Sequence, residues 1–235
     1  IPSVDFFSKF FGRKNFYIIS IMMFTIASML CGMARNLGEM VIFRVLQGAG
    51  GGGIVPISQA LMMESFPKEK RGTAMAVFGM GVIIAPIVGP VLGGWITDNW
   101  SWPWIFFINV PFGCLAAILS KKMLFNPPYS QRQKGVKMDG LGFLFLTIWL
   151  LCLQVFFDKG NNADWFNTTW IRWIFGVSCF SGICFFISQI VRKNTLVDLS
   201  VFKDRNFIIG TFIQVIMQAV LYASLAILPQ FLQSM

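Results

Sequence analysis

The run Arg44-Val45-Leu46-Gln47-Gly48-Ala49-Gly50-Gly51-Gly52-Gly53 lies inside an apolar stretch reaching from about Leu37 to Met63. In water, each glycine that replaces an alanine weakens a helix by roughly 1 kcal/mol, so this run would not hold one. A bilayer changes the balance, because helices there associate by close packing and small residues four apart let two backbones approach. Gly48, Gly52, Pro56 and Ala60 keep that spacing, with Ala49 and Gly53 beside them. The run reads as part of a membrane-spanning helix pressed against another.

Working outward, the whole chain has the same character. Hydrophobic residues make up 56% and charged residues 12%, and the mean hydropathy is +0.68. That is too oily for a soluble domain of 235 residues and implies an all-α polytopic membrane protein. Roughly 20 apolar residues cross a bilayer. Seven segments qualify, at about residues 15–34, 38–63, 73–97, 104–120, 139–157, 169–190 and 207–235. Residues 1–7 read as the end of an eighth span, and the abrupt opening on Ile1-Pro2-Ser3 and the stop within an apolar run predict a fragment of a longer protein.

The net charge of +9 is topological rather than a nucleic-acid footprint, because the basic residues are scattered through short loops between spans. On one side stand Lys9, Arg13, Lys14, Lys68, Lys70, Arg71, Lys121, Lys122, Arg132, Lys134, Lys137, Arg192, Lys193, Lys203 and Arg205. The opposite loops hold only Arg35 and Lys159, while Arg44 and Arg172 lie in or at the edge of spans. Positive residues mark the cytoplasmic side. Indole prefers the interface, and Trp95, Trp100, Trp102, Trp104, Trp165, Trp170 and Trp173 all fall on the other side, leaving only Trp149 within a span. The five cysteines sit in apolar spans without ligand spacing and histidine is absent, which argues against a disulfide framework or a metal site.

A second small-residue ridge follows the first. Gly81, Ala85, Gly89 and Gly93 are four apart, Gly94 adjoins the last, and Pro86 and Pro90 share the spacing. Prolines remove backbone hydrogen bonds and bend a helix. Static packing accounts for any single glycine, but ridge, paired prolines and an intramembrane arginine together point to a moving transporter interface. A charge at helix centre costs about 2.5–3.5 kcal/mol on insertion scales, so Arg44 lines a pathway or pairs inside the bundle. Gln47, Gln59, Gln214 and Gln218 are candidates to add uncharged hydrogen-bonding groups to the same cavity, with polar helix-to-helix contacts as an equal alternative for all four, and Asn109 is a further candidate. No Asp or Glu lies in the middle of a span; Glu64 and Asp139 come closest, each near a cytoplasmic helix end. A guanidinium keeps its proton, so Arg44 reads as tuning a carboxyl elsewhere.

Several motifs resemble the major facilitator superfamily, in particular its fourteen-helix drug:proton antiporters of the EmrB and QacA type. Arg44-Val-Leu-Gln47-Gly48-Ala-Gly50 is similar to the fourth-helix arginine motif, and Ala85-Pro86-Ile-Val-Gly89-Pro90-Val-Leu-Gly93-Gly94 to the fifth-helix antiporter motif. Ser8-Lys9-Phe10-Phe11-Gly12-Arg13-Lys14 resembles the loop between the second and third helices, a conformational latch in the family, with Lys9 where many members have aspartate. Trp102-Pro-Trp104-Ile-Phe-Phe-Ile-Asn109-Val-Pro111-Phe-Gly113 and Phe202-Lys-Asp-Arg205-Asn206-Phe207 are EmrB-like.

The resemblance implies a partial major facilitator fold. Residues 1–120 would form the N-terminal bundle, from the end of helix two to helix six, and residues 121–138 a basic cytoplasmic linker. Residues 139–190 would form two extra helices, and residues 191–235 a loop and the first helix of the C-terminal bundle. It further implies multidrug efflux in a bacterial inner membrane, driven by the proton gradient with no cofactor. Its partners would be amphipathic drugs, the lipid bilayer and, in a Gram-negative source, an EmrA-like periplasmic adaptor and a TolC-like outer-membrane channel. Export of a lipid, siderophore or other metabolite is the alternative. An enzyme would need a catalytic constellation that these residues do not offer. On the charge asymmetry, single cysteines at Lys134 and Asn162 in a cysteine-free background label from opposite faces of the membrane; labelling from one face would overturn the topology.

Overall fold

Without water in the bilayer interior, backbone N–H and C=O groups must bond within their own segment, and helices answer that demand. The computed structural model describes residues 4–124, 139–192, 196 and 199–234, and among them no strand forms. Among the described residues, seven stretches are long and apolar enough to cross a membrane: Arg13–Gly32, Leu37–Ser65, Lys68–Asn99, Trp104–Met123, Gly140–Ala163, Thr169–Val191 and Arg205–Ser224. Each coincides with one of the seven expected spans. The basic linker expected at residues 121–138 lies, from residue 125 onward, outside the described residues. The chain divides into two compact units, the second starting at Lys137.

The first unit contains α1 (Val4–Phe11), α2 (Arg13–Gly32), α3 (Leu37–Gly51), α4 (Ile54–Ser65), α5 (Arg71–Asn99), α6 (Trp104–Phe107) and α7 (Asn109–Met123). Helix α2 is its hub, touching α1, α3, α4, α6 and α7. Gly12 separates α1 from α2 with φ at 81°, a left-handed conformation that a side chain would strain. The expected loop over Ser8–Lys14 therefore shrinks to this one residue. The start of α3 is fixed by reciprocal bonds: Asn36 Oδ1 accepts from the Glu39 N–H at 2.8 Å, and Glu39 Oε2 accepts from the Arg35 N–H at 2.9 Å.

Helix α2 buries Ser20, Thr25, Ala27, Ser28 and Cys31, a stripe of small side chains that admits close neighbours. Gly53, expected beside the four-residue row, uses it together with Gly50, while Gly48 of the row itself does not. A Cβ at Gly50 would lie 2.6 Å from the Phe24 backbone nitrogen and one at Gly53 3.1 Å from Ser20 Oγ, whereas one at Gly48 would meet nothing within 4 Å. Gly50 and Gly53 press on α2, and Gly48 is left open.

The expected spans at residues 38–63 and 104–120 are each one crossing, Leu37–Ser65 and Trp104–Met123. Pro56 and Pro111 stand third in α4 and α7, so neither can donate to the carbonyl four residues back, at Gly52 and Phe107. The backbone stays helical across Gly52, Gly53 and Ile108, so each proline leaves a local irregularity within its span. Helix α5, by contrast, runs unbroken through Pro86 and Pro90. A Cβ at Gly81, Gly89, Gly93 or Gly94 would meet nothing within 4 Å, so the α5 ridge is open among the described residues.

The second unit contains α8 (Gly140–Gly160), α9 (Thr169–Val191) and α10 (Arg205–Ser234). α8 and α9 form an antiparallel hairpin. Near its turn, the Phe156 ring packs on Trp165 and Phe175, with centroids 5.4 and 4.9 Å away. At mid-length Trp149, the one tryptophan expected inside a span, lies over Gly182, with its Nε1 3.1 Å from where a Cβ would be. The open end is clamped by Asp139, whose side chain is 1% exposed. Its carboxylate accepts from the Gly142 N–H at 3.0 Å, Gln189 Nε2 at 3.1 Å, Ser188 Oγ at 3.3 Å and Arg192 Nη1 at 2.9 Å.

Burial alone would raise the Asp139 carboxyl, but the Gly142 N–H, Gln189, the Arg192 charge and Ser188 together hold it below the ordinary carboxylate value. A lowered folded value means the clamp is at full strength above the usual carboxylate range and is lost only as pH falls through the lowered value. Asp139→Ala in the full-length protein is expected to weaken the hairpin ends by about 2–3 kcal/mol, the scale of hydrogen bonds to a charged group. Hydrogen exchange of α8 and α9 reads this directly. Wild-type stability of these helices holds from pH 8 to 6; unchanged protection in the variant, or a weakening across that pH interval, would contradict the clamp.

Candidate functional site

Arg44 and Gln47 are three residues apart on α3 and so share one face. Arg44 Nη1 donates to Gln47 Oε1 at 3.2 Å, and Gln47 Nε2 donates to Ser28 Oγ on α2 at 2.6 Å. Cys31, one turn beyond Ser28, places its Sγ 4.0 Å from the same Gln47 oxygen. Gln47, Ser28 and Cys31 are all buried. On its other side the guanidinium sits 4.5 Å over the Phe106 ring of α6, a cation–π contact. A hydroxyl, an amide, a cation and an aromatic face thus form one chain across three helices. Gln47 turns its carbonyl to the cation and its amino group to the hydroxyl, which uses both ends of the amide.

This chain forms the wall of a cavity of about 410 Å³ lined by Phe24, Arg44, Gln47, Gly48, Gly51, Gly52, Ile105, Phe106 and Asn109. Gly51 and Gly52 stand where α3 meets α4, and Ile105, Phe106 and Asn109 where α6 meets α7. Gly52 is also the residue to whose carbonyl Pro56 cannot donate, which leaves backbone polarity beside the apolar rings. Arg44 is the one ionisable residue of the lining. The cavity is amphipathic and electropositive, suited to an apolar body with a polar or anionic end.

The structure brings Arg44, Gln47 and Asn109 together; Asn109 lines the cavity while its Nδ2 donates to the Ile105 carbonyl at 3.5 Å. Gln59 lies on α4 outside this lining, and Gln214 and Gln218 lie on α10 in the other unit. Gly81, Ala85, Pro86, Gly89, Pro90, Gly93 and Gly94 all stand on α5. In the candidate latch, Gly12 makes the turn, Arg13 pairs with Glu64 at the end of α4, and Lys14 Nζ donates to the Lys121 carbonyl at 2.9 Å. The second Glu64 oxygen is buried without a partner among the described residues. Ser28, Cys31, Phe24 and Phe106 were not legible as site residues. The signal for the first two was the recurrence of small side chains at Ser20, Ala27, Ser28 and Cys31 on α2; Phe106 had none, because its role exists only once folding brings its ring under the Arg44 guanidinium.

The sequence profile of the Major Facilitator Superfamily matches residues 2–234. Multidrug export protein EmrB of Haemophilus influenzae is 37% identical over 99% of this chain and 45% of its own length. Multidrug export protein EmrB of Escherichia coli K12 is 38% identical over 99% of this chain and 45% of its own. Fatty acid resistance protein FarB of Neisseria gonorrhoeae is 37% identical over 100% of this chain and 46% of its own. The chain spans about half the length of these relatives.

Proposed function

Because the chain belongs to the Major Facilitator Superfamily, we propose that it is the central part of a multidrug exporter that moves amphipathic compounds out of the cell by proton-driven alternating access. The observation that carries this reading is the amphipathic cavity with Arg44 held by Gln47 and Phe106 in its wall. An uncompensated charge there would be costly, and the network retains it where a substrate enters. The open ridge of α5, Gly81, Ala85, Gly89 and Gly93 with Pro86 and Pro90, is the surface against which a facing bundle closes. Gly12, Arg13 and Lys14 latch that movement at the basic face. Residues 1–120, 139–190 and 191–235 act as the N-terminal bundle, an inserted helix pair and the entry to the C-terminal bundle, with Gln214 and Gln218 contributing from the last.

The same reading places the protein in a bacterial inner membrane, with the proton gradient in place of a cofactor, an EmrA-like adaptor and a TolC-like channel as partners, and a carboxyl outside this chain as proton carrier. A second cargo is favoured by one observation: the FarB relative is named for fatty acid resistance, and a lone guanidinium beside Phe24 and Phe106 suits a carboxylate with an apolar tail. The fold and the coupling stay the same under either cargo.

Arg44 separates coupling from scaffolding. In the full-length protein, Arg44→Ala is expected to lower drug-dependent proton flux in proteoliposomes at least tenfold per folded molecule, whereas Arg44→Lys keeps a positive charge and retains part of it while losing the fork geometry. Equal flux per folded molecule in wild type, alanine and lysine forms would reduce Arg44 to a structural group and overturn the proposal.

A further inference from the structure

A second cavity, of about 330 Å³, opens where α2, α4 and α7 end on the basic side, far from Arg44 in sequence and lined by other residues. Its wall is built from Leu61, Met62 and Phe66 of the α4 end and Leu119 and Met123 of α7, with the ring of Tyr17 from α2. The volume falls in the range of small-molecule sites. Lys14 stands one turn before Tyr17 on α2, and its ammonium is fixed 2.9 Å from the Lys121 carbonyl at the C-terminal end of α7. Lys121 and Lys122 are exposed beside it. Glu64 at the end of α4 is paired with Arg13 and no acid is among the described lining residues, so the lysines give the rim a net positive charge.

We propose that this groove holds an anionic phospholipid of the cytoplasmic leaflet, with its phosphate at Lys14, Lys121 and Lys122 and an acyl chain along Leu61, Met62, Leu119 and Met123. Charge complementarity selects this occupant. Basic pockets between transmembrane helices on the cytoplasmic side match anionic headgroups, and here the cations stand at the rim with apolar side chains running from them into the membrane. Lys14 spends one of its three donors on the α7 carbonyl, which positions the ammonium and leaves two for phosphate oxygens. The lipid would tie the first helix after the Gly12 turn to the end of α7, joining the latch residues to the segment that leads out of the first unit.

The test is native mass spectrometry of the purified full-length protein titrated with phosphatidylglycerol or phosphatidylethanolamine. Wild type is expected to retain phosphatidylglycerol preferentially. Lys14→Gln, which can still donate to the Lys121 carbonyl, combined with Lys121→Gln and Lys122→Gln, is expected to weaken that binding by about fivefold for each charge removed. Ser120→Phe, which fills the groove and spares the charges, is expected to reduce retention of both lipids, with the melting temperature in detergent confirming that each variant is folded. Equal retention of the two lipids by wild type would overturn the site. So would phosphatidylglycerol binding unchanged by the groove-filling variant, which is surface attraction without a seat, or a groove found closed to both lipids because another part of the full-length chain occupies it.

Discussion

A guanidinium in the apolar part of a membrane has to be met from inside the protein, and Arg44 sets that demand for the rest of the first unit. Its insertion cost of about 2.5–3.5 kcal/mol is comparable to what one hydrogen bond from a charged group, about 1.5–3 kcal/mol, and one cation–π contact at an exposed site, about 0.5–1 kcal/mol, return together. Both contacts require other helices to come close. Gln47 reaches Ser28 only because Gly50 and Gly53 let α3 and α4 lie against α2. Phe106 reaches the cation from α6, on a neighbouring span. Glycines that look wasteful in a helix are what allow the charge to be kept.

The two units answer the dry interior in different ways. In the hairpin of α8 and α9, polar groups gather at one end on Asp139 and are fully used, while Trp149 and the Phe156 cluster fill the remainder. That is a closed, static arrangement. In the first unit, polar groups line an open cavity, a carbonyl at Gly52 lacks its helical donor, and the α5 ridge carries no neighbour within reach of a Cβ at its glycines. Both surfaces belong to a chain that spans about half the length of its relatives, and a moving interface on them is part of the proposed mechanism.

Much of this was legible from residue order. Span positions followed from apolar run lengths, because a bilayer imposes one thickness on every crossing. Arg44 and Gln47 stood out because charge and amide are rare in such runs, and Asn109 joined them in the cavity. The choice of packing glycines was legible only in part: four-residue spacing picks out Gly48 and Gly52, with Gly53 beside them, but not Gly50, whose approach to Phe24 depends on where α2 lies. Nor were the local irregularities at Gly52–Gly53 and Ile108 legible, since α5 tolerates two internal prolines without interruption, and how a proline perturbs a helix depends on what re-satisfies the freed carbonyl. The Ser8–Lys14 segment looked like a loop from its charges, and one left-handed glycine proved sufficient for the turn.

The central claim is that the Arg44 cavity opens to each side of the membrane in turn. Gly48 lines it, and a side chain there meets nothing within 4 Å, so Gly48→Cys reports on access without disturbing the packing. In the full-length protein, on a cysteine-free background in oriented membrane vesicles, this thiol is expected to react with a membrane-impermeant reagent from both faces. Imposing a proton gradient or adding an exported drug is expected to shift the balance between the faces severalfold. Labelling from one face alone, at a rate indifferent to gradient and drug, would show a fixed pocket and contradict the account.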